Sequence, residues 1–309
     1  MNIIFMGTPE FAIPSLRLLL ASDNTLTGIV TQPDRPKGRG KKLTPPPVKK
    51  LAQQHGLSLV QPDTVKDEQF IHWLKTQHPD LIVVVAFGQI LPPKILRIPS
   101  YGCINLHASL LPHYRGAAPI NWPIINGDET TGVTTMFMNE WMDTGDIILQ
   151  RETTIEPDDD ALTVSHRLST LGAKLLLETI NHLKKGTLTS HPQDHSQGSY
   201  SPPLKKEDGS IDWTRNARDI HNQIRGTLPW PGTFTRFENK LLKIFKAEIA
   251  DAPLQQPPGT IAHVTPDGIK VATGKGYLVL TEIQLENRRK MTATEFVKGN
   301  ALPAGTLLG

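Results

Sequence analysis

At 309 residues the chain exceeds the usual size of one domain, and two is the natural expectation. Its 33 Lys+Arg against 30 Asp+Glu leave a net charge of only +3, which excludes a global field drawing in nucleic acid, so any polyanion site must be local. The single cysteine, Cys103, excludes an intramolecular disulfide and a cysteine zinc cluster, and the longest strongly apolar run, residues 81–87, is far too short to span a bilayer. With no basic leader at the N-terminus, a cytoplasmic protein without a membrane partner is expected.

Residues 2–7 read as a buried first strand. Thr8 can cap a following helix and Pro9 suits its first turn, with Phe11, Leu16, Leu19 and Leu20 on its apolar face. Residues 26–31 read as a second strand, so the chain opens with a βαβ unit and a parallel sheet. Only Gly7 occupies the first turn; the Gly-x-Gly-x-x-Gly fingerprint is absent, which sets a dinucleotide cofactor aside.

Residues 35–50 carry seven Lys/Arg (35, 37, 39, 41, 42, 49, 50) and no acid. Their Gly and Pro content argues for a mobile, irregular basic loop, whose cations suit a nucleic-acid backbone or simply solvent. A short strand at 57–60, a helix over 67–77 through Phe70, Ile71 and Leu74, and a doubly covered strand at 81–87 follow.

Residues 102–107 end an apolar run on polar side chains. As a strand they project Asn105 and His107 from one face, beside the carboxyl end of the 81–87 strand, where open α/β sheets bind ligands. The turn Ser109-Leu-Leu-Pro112 can present backbone groups there. Asp143, in a turn after a strand at 132–138, can orient His107 and favour its charged form. A helix interrupted by Pro123 is expected over 117–126, a less buried strand at 147–155, and a long amphipathic helix at 161–185 capped by Asp160 and stopped by Gly186.

Composition shifts at 190–209, rich in Ser, Pro, Gln, Lys and Gly, which reads as a linker. The expected domains are 1–189, a linker at 190–208, and 209–309. The last holds a helix at 214–225 and strands at 234–237, 241–247, 259–264, 268–272 and 277–284, the pattern of a small OB-like β-barrel. From Gly209 onward 13 Lys/Arg face nine Asp/Glu, a local excess of +4 that suits an oligonucleotide.

Asn105-x-His107, Ser109-Leu-Leu-Pro112 and Asp143 together resemble the folate-dependent formyltransferase superfamily. Phe5-Met-Gly-Thr-Pro-Glu-Phe-Ala12, Gln32-Pro-Asp-Arg-Pro-Lys-Gly-Arg-Gly-Lys-Lys42, Tyr114-Arg-Gly-Ala-Ala-Pro-Ile120, Ile211-Asp-Trp213 and Pro229-Trp-Pro231 narrow the resemblance to its methionyl-tRNA formyltransferase family, over nearly the whole chain. The resemblance implies a Rossmann-like, mostly parallel sheet with helices on both faces and a smaller C-terminal OB-like β-barrel domain. It implies transfer of a formyl group from 10-formyltetrahydrofolate, released as tetrahydrofolate, to the methionine amine of initiator methionyl-tRNA by a monomer without a metal. Asn105, His107 and Asp143 would be catalytic.

By the same resemblance the folate would lie against Phe87, Gly88, Gln89, Ile90 and Leu91, against Ser109, Leu110, Leu111 and Pro112, and against Asn139, Glu140, Trp141 and Met142. Arg35, Lys37, Arg39, Lys41 and Lys42 would meet the tRNA acceptor end, with Arg288, Arg289 and Lys290 from the second domain. Two sequences depart from the family pattern: Glu286-Asn-Arg-Arg-Lys-Met291 stands where a Gly-Lys-Lys motif is usual, and Pro203 where Lys is common. The alternatives are a formyltransferase acting on a small amine or amino sugar, and an RNA-binding protein with an inactive formyltransferase-like domain.

Overall fold

The computed structural model covers residues 1–309 and describes all of them except Arg39, Lys41 and Ala301, together with the side chain of Lys37. It divides into two compact units that differ from a simple N-terminal and C-terminal split. One is Met1–Pro119 with Thr130–Thr154 and Ser165–Ser201; the other is Ile120–Glu129 with Ile155–Val164 and Pro202–Gly309.

The first unit is built on a seven-stranded sheet in the order Ile147–Thr154, Thr130–Phe137, Cys103–His107, Leu81–Val85, Asn2–Gly7, Thr25–Val30, Leu59–Val60. Only Thr130–Phe137 runs against its neighbours. The turn joining it to Ile147–Thr154 is too short for a crossover, so those two strands form a hairpin. Chain order reverses between Asn2–Gly7 and Leu81–Val85, the switch point that opens a crevice at the strands' carboxyl ends. Thr8 spans it: its hydroxyl donates to the Phe87 carbonyl at 2.9 Å, where the sequence suggested a helix cap.

Both faces of the sheet are covered. Ile4, Met6, Val30, Ile82 and Val84 pack with Phe70, Ile71 and Leu74 of the Glu68–Thr76 helix. The opposite face receives the Ala161–Lys185 helix, whose Gly172 sits so close to Leu106 that a β-carbon there would come within 2.8 Å of it. Thr135 and Thr179 hydroxyls pair at 2.8 Å between that helix and the Thr130–Phe137 strand. No helix among the described residues is long and apolar enough to cross a membrane.

Two expectations about the basic loop and the linker change. In the stretch expected to be irregular, Arg35–Lys37 pairs antiparallel with Lys42–Thr44. A two-stranded ribbon leaves an outer edge on each strand, so a proline such as Pro36 is tolerated. Residues 190–201, expected to be linker, belong to the first unit: Tyr200–Ser201 pairs in parallel with Arg115–Gly116, and His191 exchanges backbone hydrogen bonds with Ile147 at 2.9 and 3.0 Å. A polar composition marks this stretch because its side chains bond to backbone and supply little apolar surface.

The second unit holds one apolar core, with Trp213, Ile220, Ile224, Leu242, Ile244, Leu278, Leu280, Ile283 and Phe296 among its members. Its strands run Thr233–Phe237, Lys240–Ala250, Tyr277–Leu285, Gly268–Ala272, Ile261–Thr265, and Met291–Thr292 pairs beside Tyr277–Leu285. The expected barrel is thus an unclosed antiparallel sheet: among the described residues its two end strands do not pair. The last residues of the chain stand in for that pairing, with Ile261 donating to the Thr306 carbonyl at 2.8 Å and Gly309 to that of Arg236 at 3.1 Å. The Asn121–Asn126 helix joins this unit because Asn121 donates to the Gly226 carbonyl at 2.8 Å and Ile125 packs on Gly226 itself.

His221, on the Ala217–Gly226 helix, is held below its ordinary value of 6.5 by burial first, then by Arg225 and Arg218; Asp158 and a backbone bond at Ala247 oppose this more weakly. The native protein therefore binds fewer protons than the unfolded chain once the pH falls below 6.5, so stability drops on acidification through that window. His221→Gln is expected to flatten this part of the pH dependence, measured as melting temperature between neutral pH and about pH 5.5.

Candidate active site

Asn105 and His107 leave the Cys103–His107 strand on the same face, two residues apart. Asp143 reaches that face from the loop joining Phe137 to Ile147. Because Thr130–Phe137 is antiparallel to Cys103–His107, the loop starts beside Cys103, whose carbonyl accepts from Met138 N at 2.8 Å, and folds back along the sheet.

The Asp143 carboxylate is the meeting point. Oδ1 accepts from Asn105 Nδ2 at 3.5 Å, and Oδ2 accepts from Gly116 N at 2.9 Å and lies 3.7 Å from His107 Nδ1. The His107 and Asp143 side chains are only 6% and 14% exposed, so their contact is shielded from the screening that weakens surface interactions. His107 Nε2 lies 2.9 Å from the Tyr114 carbonyl. A carbonyl only accepts, so Nε2 carries a proton and Nδ1 is the nitrogen turned to Asp143. The Asn105 amide has a second N–H, available beyond the long bond to Asp143.

The segment Tyr114-Arg115-Gly116 thus serves both groups: its Tyr114 carbonyl fixes His107, and its Gly116 N–H fixes Asp143. Its shape demands a glycine at 116, where φ is +119° and a β-carbon would sit 2.6 Å from the Ser201 carbonyl oxygen. Asp143 itself has φ +54°, a conformation Asp tolerates better than most residues. These backbone groups escape sequence reasoning because every residue carries them; the Tyr114-Arg-Gly motif was their only trace.

The expected folate-binding segments are positioned as follows. Residues 87–91 follow the Leu81–Val85 strand and 109–112 follow Cys103–His107, both at the carboxyl edge of the sheet. Several of their side chains serve the fold: Gln89 Oε1 accepts from Val65 N at 2.9 Å, Ser109 donates to the His113 carbonyl at 2.6 Å, and Phe87, Leu91 and Leu111 are buried. What they offer a ligand is backbone, together with Leu110, Pro112 and exposed Ile90. Asn139–Met142 lies in the loop that folds back from the far end. Asn139 Oδ1 accepts from Trp141 N and the Thr144 hydroxyl, both at 3.0 Å, while Trp141 and Met142 are exposed. Two hollows on this unit, one beside Ile71, Lys75 and Arg97 and one beside Leu18, Lys174 and Leu177, are lined by none of these residues.

Of the expected nucleic-acid contacts, Arg35 and Lys42 are exposed on the hairpin, whereas Arg39 and Lys41 lie outside the described residues. Lys49 is committed elsewhere: it pairs with Asp34 at 2.8 Å across the base of the hairpin. Lys49 and Gln61 together hold the Asp34 carboxyl below the usual range. In the second unit Arg288, Arg289 and Lys290 are exposed, with Arg289 near Glu295 and Lys290 paired with Glu282.

The strand ending in Asn105-x-His107 and the loop that carries Asp143 both lie in a region matched by family. Residues 1–180 match the family described as formyl transferase, and residues 203–301 match the formyl transferase C-terminal domain. The chain belongs to the formyl transferase family. Among its relatives, the methionyl-tRNA formyltransferase of Citrifermentans bemidjiense is 52% identical over 100% of this chain and 96% of its own, and that of Geobacter metallireducens is 50% identical over 100% and 99%. The formyl transferase fold recurs in solved structures of low identity. The sugar 3N-formyl transferase WlaRD, crystallised with dTDP and 5-N-formyl-THF, superposes with a TM-score of 0.69 at 19% identity over 94% of this chain and 99% of its own. HypX from Aquifex aeolicus in complex with tetrahydrofolic acid gives 0.64 at 18% identity over 97% of this chain and 48% of its own.

Proposed function

We propose that this formyl transferase moves the formyl group of 10-formyltetrahydrofolate to the α-amino group of methionine on initiator methionyl-tRNA. The observation that carries the reading is full-length identity of about half to methionyl-tRNA formyltransferases, spanning both units. The site geometry suits the chemistry. A bond forms between the amine nitrogen and the formyl carbon, and the carbonyl oxygen takes the negative charge. The bond from that carbon to the folate nitrogen then breaks, its electron pair stays on the folate, and the amine proton must leave while the folate nitrogen gains one.

Each member of the trio has a task in this sequence. Asn105 donates its remaining amide N–H to the developing oxyanion, the kind of preorganised donor worth roughly 10²- to 10³-fold in turnover. His107, braced between Tyr114 and Asp143, adds positive charge beside that oxygen. Asp143 carries the departing amine proton directly or through a water. No side-chain nucleophile is required, because a free α-amine titrates near about 8 and a useful fraction is unprotonated at neutral pH. Holding amine and formyl carbon in contact supplies much of the remaining rate.

In this reading the folate rests on backbone of 87–91 and 109–112 with Ile90, Trp141 and Met142 offering apolar cover. Phosphates of the acceptor end meet the Arg35–Lys42 hairpin and the Arg288–Lys290 turn. In the same reading the enzyme acts as a cytoplasmic monomer.

Formyl transfer from 10-formyltetrahydrofolate to initiator methionyl-tRNA, run beside elongator methionyl-tRNA and a nucleotide amino sugar, tests the reading. Product on the initiator alone is expected, and product on the amino sugar alone would move the acceptor to a small amine. Replacing both Arg35 and Lys42 by Ala should raise KM for tRNA and lessen its salt dependence while leaving KM for the folate unchanged.

A further inference from the structure

Gln193 lies in the stretch between the family's two matched regions, yet only 5% of its surface is exposed. Its Nε2 donates to the Asp143 carbonyl at 2.9 Å and to the Gly145 carbonyl at 2.7 Å. Its Oε1 accepts twice from the Arg115 guanidinium, from Nε at 3.0 Å and from Nη2 at 2.6 Å. Arg115 Nη2 is also 3.0 Å from His195 Nδ1. Every polar atom of the Gln193 amide is therefore used, and its four bonds join three separate segments: the Asp143 loop, the Tyr114–Gly116 segment and the 191–201 stretch.

The same stretch holds the Tyr114–Gly116 segment from its other side. Tyr114 N donates to the Ser199 hydroxyl at 2.8 Å, Arg115 N to the Ser199 carbonyl at 2.9 Å, and Ala117 N to the Ser201 carbonyl at 2.9 Å. The Ser201 hydroxyl lies 3.0 Å from the Tyr114 carbonyl, the oxygen that also fixes His107.

We propose that residues 191–201 form a strap that sets the catalytic trio, and that Gln193 with Arg115 is its positioning pair. Neither residue touches the reacting atoms. Gln193 fixes the backbone on both sides of Thr144 and thereby aims the Asp143 carboxylate; Arg115 locks the Gln193 amide in the only orientation that turns its N–H groups to those two carbonyls. A flipped amide would set oxygen against oxygen. The strap thus couples the Asp143 loop to the segment that braces His107, so both members of the buried pair are referred to one frame. Displacements of about 1 Å at a reacting group cost on the order of 10²-fold in rate.

The proposal rests on the formyl transfer assigned above, and its test separates the two. Gln193→Glu keeps acceptors for Arg115 but has no N–H for the Asp143 and Gly145 carbonyls; Gln193→Ala removes both functions. Turnover should fall roughly 10- to 100-fold in both variants, with KM for folate and tRNA little changed, and Arg115→Ala added to Gln193→Ala should cost little more. Amide hydrogen exchange at Phe137 and Ile147, whose N–H groups donate to the Asp146 and His191 carbonyls at 3.0 and 2.9 Å, should accelerate in both on the free protein, whatever the acceptor proves to be. Turnover restored by Gln193→Glu, or exchange at Phe137 and Ile147 unchanged in both variants, would overturn the positioning role. Failure of the wild-type protein to formylate methionyl-tRNA, with faster exchange in the variants, would instead overturn the acceptor and leave the strap standing.

Discussion

Asp143→Asn should lower turnover by roughly 10²-fold or more while the protein stays folded, and His107→Ala and Asn105→Ala should each cost on the order of 10²- to 10³-fold. The reason lies in what the carboxylate accepts. Gly116 N–H and the Asn105 amide donate to its two oxygens, and His107 Nδ1 faces Oδ2. An amide in the same place has one acceptor and one donor. If its oxygen keeps Gly116, its NH2 confronts the Asn105 amide; if it turns over, NH2 confronts Gly116 N–H and the imidazole. Either way at least one group of the site loses its partner, and the negative charge beside His107 is gone. The measurement is single-turnover formyl transfer at saturating folate and tRNA. Near-normal rates in Asp143→Asn would remove Asp143 from the proton path.

The three replacements should not be additive. Asn105, His107 and Asp143 share hydrogen bonds around one carboxylate, and groups acting as a unit lose most of their effect with the first deletion. His107→Ala combined with Asp143→Asn is therefore expected to be little slower than the slower single variant.

The parts of this fold legible in the sequence are those whose side chains declare their surroundings. Leu81–Val85 is apolar throughout because both of its faces are covered, and the alternation that puts Asn105 and His107 on one side of Cys103–His107 follows from a two-residue period. The Ala161–Lys185 helix was bounded by Asp160, which caps the Leu162 and Thr163 amides, and by Gly186 at φ +66°. The Thr292-x-x-Glu295 capping box of Ala293–Gly299 stands in the sequence too, but the seven-residue helix it opens is too short to show a periodic face.

The site is harder to read because backbone and distant polar residues build it. Tyr114 acts through a carbonyl and Gly116 through an N–H, and nothing about residue identity announces either. Gln193 sits in a Ser- and Pro-containing run whose composition resembles a linker, since residues that bond to backbone contribute no apolar period. The discontinuous second unit is hidden for a related reason: Ile120–Glu129 leaves the first unit and returns to it, so no change in composition marks its ends.

Gly145→Ala should be almost as damaging to catalysis as loss of Asp143, although residue 145 carries no chemistry. A β-carbon on Gly145 would stand 1.8 Å from the Phe137 carbonyl oxygen, a backbone atom that cannot swing aside like a side chain. Phe137 is fixed in turn, donating its N–H to the Asp146 carbonyl at 3.0 Å and pairing with Ile104 of Cys103–His107. Strand and sheet will not move, so the loop must. Moving Gly145 breaks its carbonyl from Gln193 and shifts Asp143, two residues upstream, away from Gly116 N–H and His107. Because the loop must move while the strands on either side of it stay, the stability cost should stay near 1–3 kcal/mol, the range for overpacking. Turnover should nevertheless fall on the order of 10²-fold, the cost of misplacing a reacting group by about 1 Å. Thermal melting and single-turnover rates on the same preparation decide it: a large loss of rate with a modest loss of melting temperature is expected. A proportionate loss of both would mean that the loop carries the fold and not the aim of Asp143.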